Sequence, residues 1–189
     1  MMKIDANSIR VGDVLEYNGK LWVVQKTMHT QPGKGGAYMQ VEMKDMINGT
    51  KLNNRFRSNE NIEKVRLDQK KFQFLYMEGD NLALMDNESY EQIYIDKEIV
   101  GEQVVFLQDG MEVNVEFYED KPLTISLPET LVVTVKECEP VVKGQTAASS
   151  YKPAILENGV RIMVPPFISM GEKIVIKTAE IEYLERAKD

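Results

Sequence analysis

Lys34 is the only charged residue of the glycine-rich segment 31–36, whose sequence is QPGKGG. Glycine tolerates positive φ and has no side chain that would shield a neighbour, while proline stiffens the approach to the turn. The segment separates two strand-like runs, 21–26 and 37–43. We therefore predict a hairpin tip that displays the Lys34 ammonium, although an ordinary polar turn has the same composition. The residues expected to shape this tip are Pro32, Gly33, Gly35 and Gly36.

A displayed ammonium can bind a phosphate or act as a Schiff-base nucleophile. The covalent chemistry needs a desolvated amine, whereas a glycine-flanked tip leaves the amine of Lys34 in water. A nucleotide-binding phosphate loop is disfavoured as well, because segment 33–35 lacks the required spacing, the following Ser or Thr and the helix. Turn chemistry alone favours an ordinary polar turn, and support for a displayed cation comes from the rest of the chain.

Histidine and cysteine are scarce, since the chain has one of each, His29 and Cys138. A zinc site of four cysteine or histidine ligands is excluded on this count, and a Ser-His-Asp relay would have to use His29. We predict a hairpin-stem position for His29 and a half-buried strand position for Cys138. We expect no catalytic residue, metal or cofactor, and no enzymatic activity.

Charge is distributed unevenly along the chain, whose net charge is −7. Residues 1–66 hold 11 Lys and Arg against 7 Asp and Glu, residues 67–129 hold 4 against 15, and residues 130–189 hold 8 of each. The first segment can approach phosphates, whereas the second should be repelled by them or meet a basic protein. A polyanion would therefore orient this chain.

Short strands with period-two alternation or β-branched residues follow one another, separated by Asn-Gly, Asp-Gly, Gly-Asp and Pro signals. We predict an all-β protein of three small barrels, with domains at 1–65, 66–128 and 129–189, two-residue hairpin turns at 18–19 and 48–49, a short helical turn within 95–100, and a loop before residue 160. The predicted strands are 13–17, 21–26, 37–43, 51–57, 72–77, 82–86, 91–95, 103–107, 113–118, 123–127, 131–137, 160–164, 173–177 and 181–184.

Five stretches resemble bacterial elongation factor P. They are YNGKLWVV at 17–24, PGKGGA at 32–37, FRS at 56–58, FLY at 74–76 through MD at 85–86, and a C-terminal block. The block contains KPA at 152–154, Gly159, Ile162, VP at 164–165, Ile168 and Gly171. The resemblance covers essentially the whole chain.

The resemblance implies an SH3-like or KOW-like barrel followed by two OB-like barrels in an L-shaped arrangement with the outline of a transfer RNA. Family members bind both ribosomal subunits beside peptidyl-tRNA, stimulate peptide bond formation and relieve stalling at consecutive prolines. By that resemblance Lys34 contacts the acceptor end of the tRNA and is the site where a modifying enzyme would act. A generic single-strand-binding OB protein is the alternative, but such a protein needs a continuous basic groove, and the acidic charge of residues 67–129 argues against one.

Further candidate contacts follow from charge and from the resemblance. In the first segment they are Lys26, Arg55 and Arg57. For Arg55 and Arg57, a solvated strand position or interdomain pairing explains the residue equally well. In the third segment the family's Gly-Asp-Thr-Ala loop approaches the messenger codon in the exit site, and here Gln145 replaces its acidic residue. We predict Trp22 to be a core residue. The candidate codon or small-subunit contacts are Gly144, Gln145, Thr146, Ala147, Tyr183 and Arg186. A flexible linker is the alternative for the loop 143–150, and interdomain packing explains Tyr183 at least as well.

No apolar run approaches the ~20 residues that span a bilayer, and the N-terminus lacks a basic stretch followed by an apolar one. We therefore expect a cytoplasmic protein with no membrane contact. The tRNA-like outline implied by the resemblance leads us to expect a monomer.

Overall fold

A computed structural model describes residues 1–144 and 150–188. These residues form three antiparallel sheets joined by turns and short 3-10 segments, which confirms the predicted all-β class. They pack as two compact units, one containing 1–70 with 115–124 and the other the remaining described residues. The division at 65 and 128 and the L-shaped arrangement stay predictions. None of the described helices is long and apolar enough to cross a membrane.

The first sheet has six strands in the order β1-β6-β2-β3-β4-β5. Its core includes Leu15, Val41 and Phe56, each at most 1% exposed. Trp22 is 6% exposed and donates its indole N–H to the Tyr17 carbonyl at 3.0 Å, which confirms its predicted place in the core. The strands are β1 (Met2–Asp5), β2 (Val14–Tyr17), β3 (Lys20–Thr30), β4 (Tyr38–Asp45), β5 (Lys51–Arg57) and β6 (Asn61–Val65).

The second sheet has five strands in the order β11-β10-β7-β8-β9. The helical turn expected within 95–100 is present as the 3-10 segment Lys97–Ile99. The strand predicted at 103–107 is wrong, because Gly101–Phe106 is a 3-10 helix in which Phe106 is 1% and Val105 45% exposed. This apolar run buries one side of a helical turn. The strands are β7 (Asp68–Glu78), β8 (Asn81–Asp86), β9 (Gln92–Asp96), β10 (Glu112–Tyr118) and β11 (Lys121–Ser126).

The third sheet also has five strands, in the order β14-β13-β12-β15-β16. The loop expected before residue 160 is partly wrong, since a strand containing Pro153 pairs there with Met163. Lys152 opens that strand and is 8% exposed, because its ammonium donates to the Glu139 carbonyl at 2.5 Å. The strands are β12 (Thr130–Cys138), β13 (Lys152–Leu156), β14 (Arg161–Val164), β15 (Lys173–Lys177) and β16 (Glu182–Arg186).

The two Asn-Gly turns predicted in the first sheet, at 18–19 and 48–49, differ in length in the structure. Asn18 and Gly19 have φ of 52° and 71° and join β2 directly to β3, as predicted for a two-residue turn. At 48–49 the two-residue prediction is wrong, because β4 ends at Asp45 and β5 begins at Lys51. The Asp45 carboxylate accepts the backbone N–H groups of Ile47 at 2.8 Å and Asn48 at 3.1 Å, which stabilises a longer turn.

Acid should destabilise the first sheet through Asp45. The N–H groups of Asn48 and Ile47, with a smaller contribution from Lys20, lower the pKa of Asp45 from 3.8 to about 2. The lowered pKa means that the carboxylate stabilises the folded state above pH 3.8 and that this contribution is lost as the pH falls through about 2. Asp45→Asn should therefore unfold at lower urea than wild type at pH 7, and the difference should shrink at pH 2.

The fluorescence of Trp22, the chain's one tryptophan, measures this unfolding in the first sheet. Asp5→Asn is the matched control, because Asp5 is exposed and its side chain caps no N–H. A difference between Asp45→Asn and wild type that stayed constant from pH 7 to pH 2 would contradict the assignment.

Candidate functional site

The lysine loop, residues 31–37, joins β3 to β4 at the pair Thr30 and Tyr38. Strand β3 continues to Thr30, four residues past the predicted end at Lys26, so the loop lies at the end of a long two-stranded ladder. Residues 31–36 are exposed. Among the described residues none forms an ion pair with Lys34, so its ammonium is available to a partner.

Gly35 is the one glycine of this loop with a left-handed backbone, at φ +121°. A Cβ placed there would lie 3.8 Å from Pro32 Cγ, so the cost of a side chain comes from the backbone and not from a clash. By contrast, Gly33 and Gly36 have ordinary φ and open space where a Cβ would lie. The shape of the tip therefore depends on Gly35.

Gly35→Ala should change the conformation of the loop without unfolding the sheet. Forcing a side chain into this region of φ costs about 1–3 kcal/mol, which an exposed loop avoids by moving. We expect large NMR shift changes at the Lys34 amide in Gly35→Ala and small ones in the control Gly36→Ala. Equal changes in the two variants would show that Gly35 does not set the conformation.

The surface beside the loop is the side of β3–β5 opposite the core, which we call the outer face. A β-bulge between Val24 and Lys26 places an extra residue, Gln25, in β3. Val24 is 1% exposed whereas Lys26 is exposed, although a regular strand would put both on one side. The bulge therefore turns Lys26 outward. Cross-strand register defines the outer face as Lys26, Met28, Thr30, Tyr38, Gln40, Glu42, Asn53, Arg55 and Arg57.

Arg55 and Arg57 are exposed on β5 and share the outer face with Lys26. The guanidinium carbon of Arg55 lies 4.3 Å from the centre of the Tyr38 ring, a cation–π contact that holds the group near the sheet. Next to the lysine loop, a groove of about 570 Å³ is lined by Tyr38, both arginines and Ser58. Ser58 donates its backbone N–H to the Ala37 carbonyl at 3.0 Å, which ties the base of the loop to the chain after β5.

The guanidinium groups of Arg55 and Arg57, next to the loop that carries the exposed Lys34 ammonium, suit a phosphate-bearing ligand. They supply charge-assisted hydrogen-bond donors and require no acid/base chemistry. Glu42 also lies on the outer face and is 3.9 Å from the Lys51 ammonium, an exposed pair of small energetic weight. Of the nine residues by which the outer face is defined, three are cations, Lys26, Arg55 and Arg57, and one is a carboxylate.

Tyr38 and Gln40 were not among the sequence-predicted contacts, although they share this face. Gln40 donates to the Asn53 side chain at 3.2 Å. The alternation of β4 gives the missing signal, because Met39 and Val41 are buried and their neighbours must face outward. His29 pairs with Met39 near the end of β3, the stem position that we predicted.

The structure describes three of the C-terminal candidates, Gly144, Tyr183 and Arg186. Arg186 forms an ion pair with Glu172 at 2.8 Å and donates to the Phe167 carbonyl at 3.1 Å. Tyr183 packs edge-to-face against Tyr151, with ring centres 6.4 Å apart, and its pKa is raised mainly by burial. Gly144 is exposed at φ +93°. The candidates Gln145, Thr146 and Ala147 lie outside the described residues.

Solved structures of similar fold include those of two initiation factors. Eukaryotic translation initiation factor 5A from Methanococcus jannaschii has a TM-score of 0.55 at 22% identity, over 67% of this chain and 92% of that one. A translation initiation factor eif-5a family protein from Naegleria fowleri has a TM-score of 0.51 at 16% identity, over 67% and 98%. At these identities the similarity shows the fold alone.

Three family models match along the chain: the elongation factor P KOW-like domain at residues 5–62, the elongation factor P OB domain at 67–125 and the elongation factor P C-terminal domain at 131–186. Proteins called elongation factor P are 63% identical in Chelativorans sp. (strain BNC1) and 58% identical in Brucella canis, each over 98% of this chain and 100% of the relative.

A KOW-like domain, an OB domain and relatives of nearly the same length that are called elongation factors define a translation elongation factor. This confirms the predicted KOW-like and OB barrels of the first two domains. The chain belongs to the elongation factor P family, as its motifs indicated.

Proposed function

We propose that this protein binds the ribosome beside peptidyl-tRNA and stimulates peptide bond formation, relieving stalling at consecutive prolines. The observation that supports this most is the exposed Lys34 at the end of a long β-ladder, next to an outer face that carries Arg55, Arg57 and Lys26. In this proposal Lys34 contacts the acceptor end of the tRNA, and the outer face binds backbone phosphates.

The chemistry requires positioning and no catalytic group from the protein. Proline has a secondary amine and a ring that fixes φ, so a Pro-Pro junction resists the geometry that attack requires. A cation on a supported loop can hold the donor RNA in a reactive pose and lower the entropic part of the barrier. About 3 kcal/mol of such positioning gives more than a hundredfold in rate.

Two further contacts belong to the proposal. Segment 144–147 would approach the messenger codon in the exit site, and Tyr183 and Arg186 would meet the small subunit.

A lysine-modifying enzyme would reach Lys34 on the folded protein, because the tip is exposed. The protein would act in the cytoplasm as a monomer.

A toeprint assay with purified ribosomes tests the function. On a message encoding consecutive prolines, addition of the protein should remove the stall, while a message lacking them should show no change. A stall that persists at saturating protein would contradict the proposal. Binding to bare oligonucleotides as tightly as to ribosomes that hold peptidyl-tRNA would favour the generic single-strand-binding function.

A further inference from the structure

The outward side of β7–β9 carries a pair of tyrosines. Tyr76 on β7 and Tyr94 on β9 both lie opposite Ala83 on β8, and their hydroxyl oxygens are 3.3 Å apart. Tyr76 is 44% and Tyr94 51% exposed, whereas Ala83 between them is fully buried. The two side chains therefore cover Ala83 and are joined by a hydrogen bond, and we call this pair the tyrosine bridge.

A β-bulge places Tyr76 on this side of the sheet. Phe74 pairs with Leu84 and both are buried, whereas the next pair along the ladder is Tyr76 with Ala83, which leaves Leu75 as the extra residue. In a regular strand, Tyr76 would face the core together with Phe74. The bulge is the structural cause of the outward position of Tyr76. Bulges that redirect a side chain are frequent near functional sites, so this position indicates a functional surface.

Carboxylates lie next to the tyrosine bridge. The adjacent cross-strand row is Glu78, Asn81 and Asp96, all of them exposed. Asp96 accepts the Glu98 backbone N–H at 2.9 Å. The hydrogen bond with Tyr76 and the charge of that residue, with smaller contributions from burial and from the charge of Glu78, raise the pKa of Tyr94, so the phenol is neutral at pH 7.

We propose that the tyrosine bridge, with Glu78 and Asp96, binds an arginine-bearing segment of a protein partner. A guanidinium stacks on a tyrosine ring and pairs with a carboxylate through two parallel hydrogen bonds, whereas a lysine ammonium is more strongly hydrated and has no plane to stack. Nucleic acid is disfavoured, because residues 67–129 hold 15 acidic against 4 basic side chains. This surface acts independently of the Lys34 site.

NMR titration of the full chain with N-acetyl hexa-arginine amide tests the proposal without ribosomes, so its outcome is separate from that of the polyproline assay. We expect shift changes confined to Tyr76, Ala83, Tyr94 and their neighbours, and weaker binding of hexa-lysine. Glu78→Gln/Asp96→Asn should lower the affinity about fivefold or more, because these charges attract the guanidinium groups. Both substitutions are on exposed side chains, so the fold should be kept.

Glu102→Gln/Asp109→Asn is the matched control, since it removes the same charge at exposed positions outside β7–β9. It should change the affinity by less than about twofold. Equal affinity for hexa-lysine, shift changes spread over the whole acidic surface, or equal losses in the two charge variants would each overturn the proposal. Concentration-dependent shifts at the tyrosine bridge without peptide would also overturn it, because a second copy would then be the occupant.

Discussion

Replacing Lys34 with alanine should reduce the rate of Pro-Pro bond formation in the presence of the protein by more than a hundredfold. The loss corresponds to the ~3 kcal/mol of positioning assigned to the ammonium. Because residues 31–36 are exposed and no described residue pairs with Lys34, the variant should fold and melt like the wild type. Single-turnover peptidyl transfer on a polyproline message measures the rate, and thermal unfolding checks the fold.

Lys3→Ala is the control for charge alone. Lys3 is exposed on β1, and its ammonium lies 4.0 Å from the Glu63 carboxylate. An exposed ion pair at this separation contributes little to stability. This variant removes one positive charge from the same domain and should retain nearly full activity. Full activity of Lys34→Ala, or an equal loss in Lys3→Ala, would mean that the position of the lysine is not what matters.

Replacing Phe56 with alanine should lower the free energy of unfolding of the first sheet by about 3–5 kcal/mol. The ring is 1% exposed and packs edge-to-face against Tyr17, with ring centres 5.4 Å apart at 90°. Alanine leaves a cavity that the surrounding strands cannot fill. Since Phe56 lies between Arg55 and Arg57 on β5, the variant should also misplace both guanidinium groups of the outer face.

Urea unfolding followed by Trp22 fluorescence measures the effect, because Trp22 belongs to the same core cluster. With a urea dependence of about 1–3 kcal/mol per molar, the midpoint should fall by at least ~1 M. Phe56→Leu keeps most of the volume and should give a markedly smaller shift. A midpoint unchanged in Phe56→Ala would contradict the packing described here.

Local signals were enough for much of the fold. Alternation and turn residues placed β5 and β15 at their observed bounds, and Asn18-Gly19 gave the correct tight turn. The edge strand β1 of the first sheet and its neighbour β6 were not predicted. They pair with each other across most of that domain's sequence, from Met2 with Lys64 to Asp5 with Asn61, so no short window contains both partners.

The side on which a residue lies was harder to predict, because a bulge reverses the alternation that sequence patterns rely on. Charge alone indicates Lys26 as a contact, but its outward orientation depends on the extra residue Gln25. Alternation alone would likewise turn Tyr76 toward the core, and its outward orientation depends on the bulge at Leu75. The Arg55–Tyr38 contact could not be predicted from the sequence either, because it joins side chains on different strands whose register the sequence does not specify.

The exposed tip at 31–36 has a consequence for how this protein can be altered. The nearest inward-facing residues, Met39 and Phe56, belong to the core, whereas the tip contributes no buried side chain to it. Chemical change at the tip is therefore thermodynamically uncoupled from folding. A group attached to the Lys34 nitrogen can be added after the chain has folded, and selection can change its length or charge without a compensating substitution elsewhere.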